Sequence, residues 1–290
     1  MAAALESIGP TVVRGAESFL LKAAHIGQTF QIDVFAPPAA KEPLPVLYVT
    51  DASFGFGAVV QAISLMQMTR ELPQMVVVGI GYPASVSAKE IGGLRFRDFC
   101  AVDDLQYRQI VRATMPPDEM PPAMEPGGAA AFLNFINDEV KPLIEARYPI
   151  DTADQTHAGM SLGGLFALYG LFAAPKSFRR VIALSPSIWW GSRAILATEA
   201  AFAAASTDLP VNLFLSIGAL EEIAFPVAKM VSNLYELDAV LRARKYPGLK
   251  MAMEVFPQET HNSVYAASLG RGLRTVFGTA PGFESWAALR

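Results

Sequence analysis

The chain has 290 residues, 52% of them hydrophobic and 17% charged, with mean hydropathy +0.32, formal net charge −4 and a pI near 5.5. So apolar a composition excludes a disordered chain, and with no run of Lys and Arg it excludes a basic groove for nucleic acid. One cysteine, Cys100, excludes an intrachain disulfide.

The length suits one sizeable core, so a single domain over 1–290 is expected. Taken in chain order, short β-branched or apolar runs predict strands at 30–35, 46–50, 75–80, 156–160, 181–185, 211–217 and 251–256. Helical patterns lie between them at 129–147, 162–173, 193–205, 227–244 and 264–277. This alternation predicts an α/β fold with a mainly parallel sheet and helices on both faces. The stretch 83–128 breaks the rhythm. Pro116, Pro117, Pro121, Pro122 and Pro126 crowd it, so an irregular insertion or active-site lid is expected there. The segment 159–175 is the most membrane-like, yet it is shorter than the roughly 20 residues that span a bilayer. No membrane partner is expected. With no basic-then-apolar leader in 1–15 and one lone thiol, a cytoplasmic protein is expected. Nothing in one chain sets an oligomeric state.

The segment Gly159-Met160-Ser161-Leu162-Gly163 matches G-x-S-x-G. In that motif a serine sits on a strained strand-to-helix turn, with the next backbone N–H aimed at a developing oxyanion. The bland reading is a glycine-rich helix start capped by a serine. A strand-like run before Ser161 and a buried-helix pattern after it favour the nucleophile. A hydrolytic serine needs a base, and the chain offers His25, His157 and His261. In this architecture the base follows the serine along the chain, which leaves His261, just after the last expected strand. His157 lies inside a strand, where a neutral, hydrogen-bonded core role is expected. His25 is expected at the surface or a sheet edge.

The acid should follow the strand 211–217, where Glu221 and Glu222 are both available. A second oxyanion N–H should come from the turn after 46–50, through Ser53 or Ala52. Trp189 and Trp190, with Ser187, follow the strand 181–185, and the tryptophans are expected either to line an acyl or aryl pocket or to pack the core beneath it. Arg95 and Arg97 are expected either at an anionic part of a substrate or in ion pairs, such as Arg97 with Asp98 or Asp104.

With these pieces placed, the chain resembles the putative-esterase family of α/β-hydrolases. That family includes siderophore esterases, S-formylglutathione hydrolases, feruloyl esterases and mycolyltransferases. The resemblance rests on PVLYVTD (45–51), VVVGIGYP (76–83), RFRD (95–98), HAGMSLGGLFALY (157–169), SPSIWW (185–190), SIGALEE (216–222) and ETHNSV (259–264), and is nearest to hydrolases grouped with siderophore esterases. It implies an α/β-hydrolase fold with Ser161 as nucleophile, His261 as base, Glu221 as acid and the amides of Leu162 and Ser53 as oxyanion donors. The chain departs from the family in reading Asp51-Ala52 where Asp-Gly is usual, and in the length of the segment after RFRD.

The expected activity is hydrolysis of a small-molecule ester through an acyl-enzyme. An acyltransferase would use the same residues, and a binding protein could keep the fold without the reaction. No metal-spaced His/Cys cluster and no dinucleotide fingerprint is present, so neither metal nor cofactor is expected.

Overall fold

The computed structural model describes residues 12–38, 42–116, 118–121 and 125–278. Within them, one sheet is built from β1 (Ala16–Lys22), β2 (Thr29–Phe35), β3 (Leu44–Thr50), β4 (Val76–Gly81), β5 (Ile150–Met160), β6 (Arg180–Leu184), β7 (Asn212–Gly218) and β8 (Lys250–Phe256). Its order is β1-β2-β4-β3-β5-β6-β7-β8. The β1–β2 and β2–β4 pairs are antiparallel, and every pair from β4 across to β8 is parallel. Parallel strands need both faces covered. Accordingly, all residues of β4 (VVVGIG) and of β6 (RVIAL) are buried.

One face carries α1 (Ala52–Met68) and α10 (Val264–Phe277). Their Val59, Ile63, Leu269 and Leu273 pack on Leu47, Val49, Val77 and Ile182 of the sheet. The other face carries α2 (Ala88–Phe99), α4 (Ala129–Asn134), α5 (Lys141–Arg147), α6 (Leu162–Ala173), α7 (Trp190–Ala205) and α9 (Met230–Arg244), over Val46, Tyr48, Val78 and Val181. Residues Phe135–Val140 wind as a π-helix between α4 and α5, close to the single helix expected over 129–147. Pro142 sits at the start of α5, and the wider π turn leaves room for its ring, which would otherwise meet the carbonyl four residues back. In α7, Gly191, Ser192 and Arg193 have positive φ, so the right-handed helix begins only after them.

The stretch 83–128 is less irregular than its prolines suggest. It holds α2 and α3 (Leu105–Thr114). Ser87 and Glu90 form a reciprocal capping box at the start of α2, and the Asp104 carboxylate caps α3 through the Tyr107 N–H. The cluster of prolines begins only after α3, at Pro116; Pro117 and Pro122 lie outside the described residues. The membrane-like segment 159–175 is the end of β5 followed by α6, a helix with ten of its twelve residues buried. No helix among the described residues is long and apolar enough to cross a membrane.

Candidate active site

β5 ends at Met160 and α6 begins at Leu162, so Ser161 alone makes the turn, at φ 59 and ψ −120. That conformation is costly for a residue with a Cβ, roughly 1–3 kcal/mol, and persists only where neighbours enforce it. Here the Ser161 N–H donates to the Leu184 carbonyl, and the Ser161 carbonyl accepts from the N–H groups of Leu165 and Ser187. A Cβ at position 159 would come within 2.2 Å of the Gly163 carbonyl oxygen, so strand and helix can approach this closely only through glycine.

Two loops bring partners to Ser161. After β7, α8 (Glu221–Ala224) starts with a carboxylate that is 0% exposed. After β8, the chain passes so near Gly218 that a Cβ there would lie 2.4 Å from the Glu259 carbonyl oxygen. Leu220 N–H donates to that same carbonyl, fastening the β8 loop to the β7 loop. His261 is thereby placed with Nδ1 2.6 Å from Glu221 Oε2 and Nε2 2.9 Å from Ser161 Oγ. A carboxylate only accepts, so Nδ1–H donates to Glu221, and Nε2 accepts from the Ser161 hydroxyl. The second Glu221 oxygen, Oε1, accepts from the Ser185 hydroxyl at 2.7 Å and the Gly218 N–H at 2.8 Å.

Of the two adjacent glutamates, the imidazole of His261 meets Glu221, and Glu222 turns elsewhere. Adjacent helical residues point about 100° apart, and Glu222 accepts from the N–H groups of Val231 and Ser232 at the start of α9. Burial is the largest single influence and opposes its charge, but the hydrogen bonds from Ser232 and Val231, with the Lys229 charge, together hold its carboxyl below the usual carboxylate range. His25 is exposed in the β1–β2 turn. His157 is 0% exposed, and neither of its ring nitrogens has a hydrogen-bond partner, contrary to the hydrogen-bonded role expected for it. Burial, and secondarily the Lys141 charge, push it down to about 3, so it stays neutral. The Cys100 thiol is fully buried, and burial pushes it far up, so it is a packing group.

Leu162 opens α6 and Ser53 is the second residue of α1, so each carries an N–H in the first turn of a helix, where no intrahelical acceptor exists. β3 and β5 pair with Val49 opposite Ala158, which sets these two helix starts side by side. The turn after β3 was expected as a loop; the helix begins there at once, at Ala52. Ser53 Oγ donates to the Tyr82 carbonyl and accepts from the Tyr82 N–H, tying the start of α1 to the end of β4.

Ser161 and His261 open on a cavity of about 520 Å³ that Asp51, Phe54, Arg95 and Tyr265 also line. Burial, then the Asp51 charge, push Tyr265 up to about 12, so its hydroxyl remains protonated. Of the other expected pocket residues, Arg95 lines this cavity, and its Nε and Nη2 donate to the two Asp51 oxygens, at 2.7 and 2.9 Å. Arg97 grips Asp98 in the same two-pronged way and lines a separate hollow with Glu90 and Glu125. Trp190 is 1% exposed and cannot touch a substrate; its indole N–H donates to the Val102 carbonyl and its ring packs on Phe96. Trp189 is half-buried and lines a second cavity of about 360 Å³, with Tyr107, Ile110, Ser192, Phe225 and Val227. That cavity borders the site, because the Phe225 ring meets the His261 ring edge-on at 5.8 Å.

Several neighbours had no assigned part in the sequence reading. Ser185, at φ 40, holds Glu221, and Ser187 Oγ stands 3.4 Å from Ser161 Oγ. Their only signal was position: polar residues directly after the apolar run VIAL (181–184) of a buried strand. Among the described residues, no group of three or more His, Cys, Asp or Glu could hold a metal ion.

A family model described as Putative esterase matches residues 23–222. The chain is 33% identical over 273 residues to the ferri-bacillibactin esterase BesA of Bacillus subtilis, covering 90% of this chain and 89% of that one. It is 31% identical over 307 residues to the siderophore triacetylfusarinine C esterase of Aspergillus fumigatus, covering 96% of each. The crystal structure of the BES protein from Bacillus cereus superposes with a TM-score of 0.78 at 30% identity, over 94% of this chain and 99% of that one.

Proposed function

The chain belongs to this esterase family and is a carboxylic ester hydrolase of the α/β-hydrolase fold; on that premise we propose that it works through an acyl-enzyme on Ser161, with His261 as general base and Glu221 as its orienting acid. The observation that carries this reading is the unbroken path from Glu221 Oε2 through His261 to Ser161 Oγ, at 2.6 and 2.9 Å, ending on a strained serine. His261 Nε2 takes the proton as Ser161 Oγ bonds to the ester carbonyl carbon. The resulting oxyanion accepts hydrogen bonds from the N–H groups of Leu162 and Ser53. The C–O bond to the alcohol then breaks, and the alcohol leaves with the proton from His261. Water, deprotonated by His261, attacks the acyl-enzyme, and the acid is released as Ser161 regains its proton.

Glu221 stabilises the imidazolium formed in each step. Its burial would be costly without partners. Ser185, Gly218 and His261 supply three donors and keep both oxygens satisfied.

The substrate we propose is a small siderophore-type ester, the class named in both relatives. One part of it lies in the cavity at Ser161, and an apolar or aryl group lies against Trp189 and Phe225. In this reading the chain is one catalytic domain whose stretch 83–128 borders the cleft, and a cytoplasmic setting suits its single buried thiol. Turnover of ferri-bacillibactin, triacetylfusarinine C and a p-nitrophenyl ester series from acetate to octanoate, by wild type and Ser161→Ala, tests it. Hydrolysis that collapses by at least about a thousandfold in the variant is expected. Activity undiminished in Ser161→Ala would end the assignment.

A further inference from the structure

Arg95 reaches the site from α2, in the stretch whose part in the molecule the motifs leave open. Its partner Asp51 occupies an unusual place. Asp51 immediately precedes α1 and has φ 61 and ψ 29, the left-handed region. An aspartate there ordinarily turns its carboxylate onto the N–H groups of the second or third helical residue, here Ser53 or Phe54. Asp51 makes no such side-chain cap. Instead Arg95 Nε donates to Oδ1 and Nη2 to Oδ2, so both oxygens are held in one fork. The Phe54 N–H bonds to the Asp51 backbone carbonyl, which leaves the side-chain cap of Ser53 unmade. Asp51 also lies against the second helix start: a Cβ on Gly163 would sit 3.2 Å from Asp51 Oδ2. One carboxylate thus belongs to the residue that starts α1 and reaches Gly163 at the start of α6, next to the two residues whose amides the esterase reading assigns to the oxyanion.

We propose that Arg95 is a positioning residue that keeps the oxyanion amides free: by holding the Asp51 carboxylate in its fork, it prevents that group from capping α1 and neutralises its charge beside the oxyanion. The proposal rests on the reading of Ser161 as nucleophile and of the Ser53 N–H as oxyanion donor. It gives α2 a function other than that of a lid. The guanidinium acts through Asp51 and does not touch the substrate. Without it, Asp51 is free to leave its strained conformation, accept from Ser53, and present a negative charge where the reaction develops one. Lysine would restore the charge without the fork.

A set of four proteins tests this: wild type, Arg95→Ala, Asp51→Gly (which keeps the positive φ and has no side-chain acceptor) and Arg95→Ala/Asp51→Gly, assayed with the uncharged ester p-nitrophenyl acetate. Arg95→Ala is expected to lower kcat about a hundredfold, the scale of losing one oxyanion donor, with KM changed less than about threefold. In the Asp51→Gly background the same substitution should cost less than about fivefold, because the carboxylate that Arg95 restrains is gone. Arg95→Lys should fall between wild type and Arg95→Ala. A rise in KM with kcat intact would overturn the proposal in favour of substrate contact by Arg95, and equal losses in both backgrounds would overturn it as well. Unfolding of both Arg95→Ala and Arg95→Lys would make the ion pair a requirement of the fold and overturn it too. Amide hydrogen exchange at Ser53 gives a readout that needs no turnover, which separates failure of this proposal from failure of the esterase reading. Exchange should slow in Arg95→Ala, as the amide gains a cap, and return to the wild-type rate in the double variant. Unchanged or faster exchange in Arg95→Ala would contradict the proposal even in a protein that hydrolyses nothing.

Discussion

The carboxyl ends of β5, β7 and β8 and the middle of β5, four residues upstream, treat polar side chains in opposite ways. At the ends, Glu221, His261 and Ser161 are joined in sequence, and Ser185 and Gly218 complete the shell around the carboxylate. In the middle, His157 and Tyr48 face each other across the β3–β5 pair with no hydrogen-bond partners for the imidazole nitrogens or the phenol. Rings replace partners there, with Phe166 and Phe178 packing on His157 at 5.4 and 5.0 Å. The cause is topological. Within the sheet, strand backbone donors and acceptors are spent on neighbouring strands, whereas at the strand ends the loops and helix starts have N–H groups to spare. Partner supply, more than residue type, decides which histidine can move a proton.

The sharpest way to break this contrast is to remove the joined groups one at a time. His261→Ala should reduce ester turnover by about as much as Ser161→Ala, since residues that act as a unit do not contribute additively; steady-state kinetics on a p-nitrophenyl ester would show it. Glu221→Gln keeps shape but replaces an acceptor with an amide, and should lower kcat by about a thousandfold with little change in KM. A loss of tenfold or less would mean that His261 is oriented by its loop alone. Ser185→Ala removes one of three donors to Glu221 and should cost about tenfold in kcat; unaltered kcat would show that Gly218 and His261 suffice.

The other region predicts an effect on stability. His157 is depressed to about 3 in the folded protein, against 6.5 unfolded. Between those pH values the unfolded chain binds a proton that the folded chain does not, so stability falls as pH drops from 6.5 toward 3. Over pH 7 to 4 this amounts to about 3 kcal/mol, at roughly 1.4 kcal/mol per pH unit. His157→Phe should therefore lose correspondingly less stability between urea titrations at pH 7 and pH 4, while turnover at pH 7 stays within about twofold. Equal acid losses in both proteins would show that His157 is protonated or hydrated in the folded state. The smallest expected effect is that of Glu222→Gln: activity within about twofold and Tm lowered by a few degrees as α9 loses a charged cap, read by thermal unfolding.

The same contrast explains what the sequence made legible. β3, β4, β6 and β7 stood out as apolar runs because both faces of their sheet are covered. β1 (AESFLLK) did not, because it is an edge strand with all seven residues at least partly exposed and only the short apolar run Phe19-Leu20-Leu21. α1 escaped notice because Gly55 and Gly57 weaken its pattern and its leading aspartate is spent on Arg95. For α2 a signal was present in Ser87-x-x-Glu90, obscured by the prolines further on. Motif and chain order singled out Ser161 and His261, whereas Glu221 and Glu222 differ only in helical phase, which composition does not carry. The commitments of Arg97 to Asp98 and of Trp190 to Val102 depend on tertiary contacts with no periodic trace.

The most direct test of Ser161 as the nucleophile is intact-mass analysis after exposure to a fluorophosphonate, for wild type and Ser161→Ala. The oxyanion-like phosphonyl group needs an activated serine to bond to. One adduct per wild-type chain, mapped to the peptide bearing Ser161 and absent from the variant, is the predicted result. A folded wild type that takes up no label, or a variant labelled as fully as wild type, would contradict it.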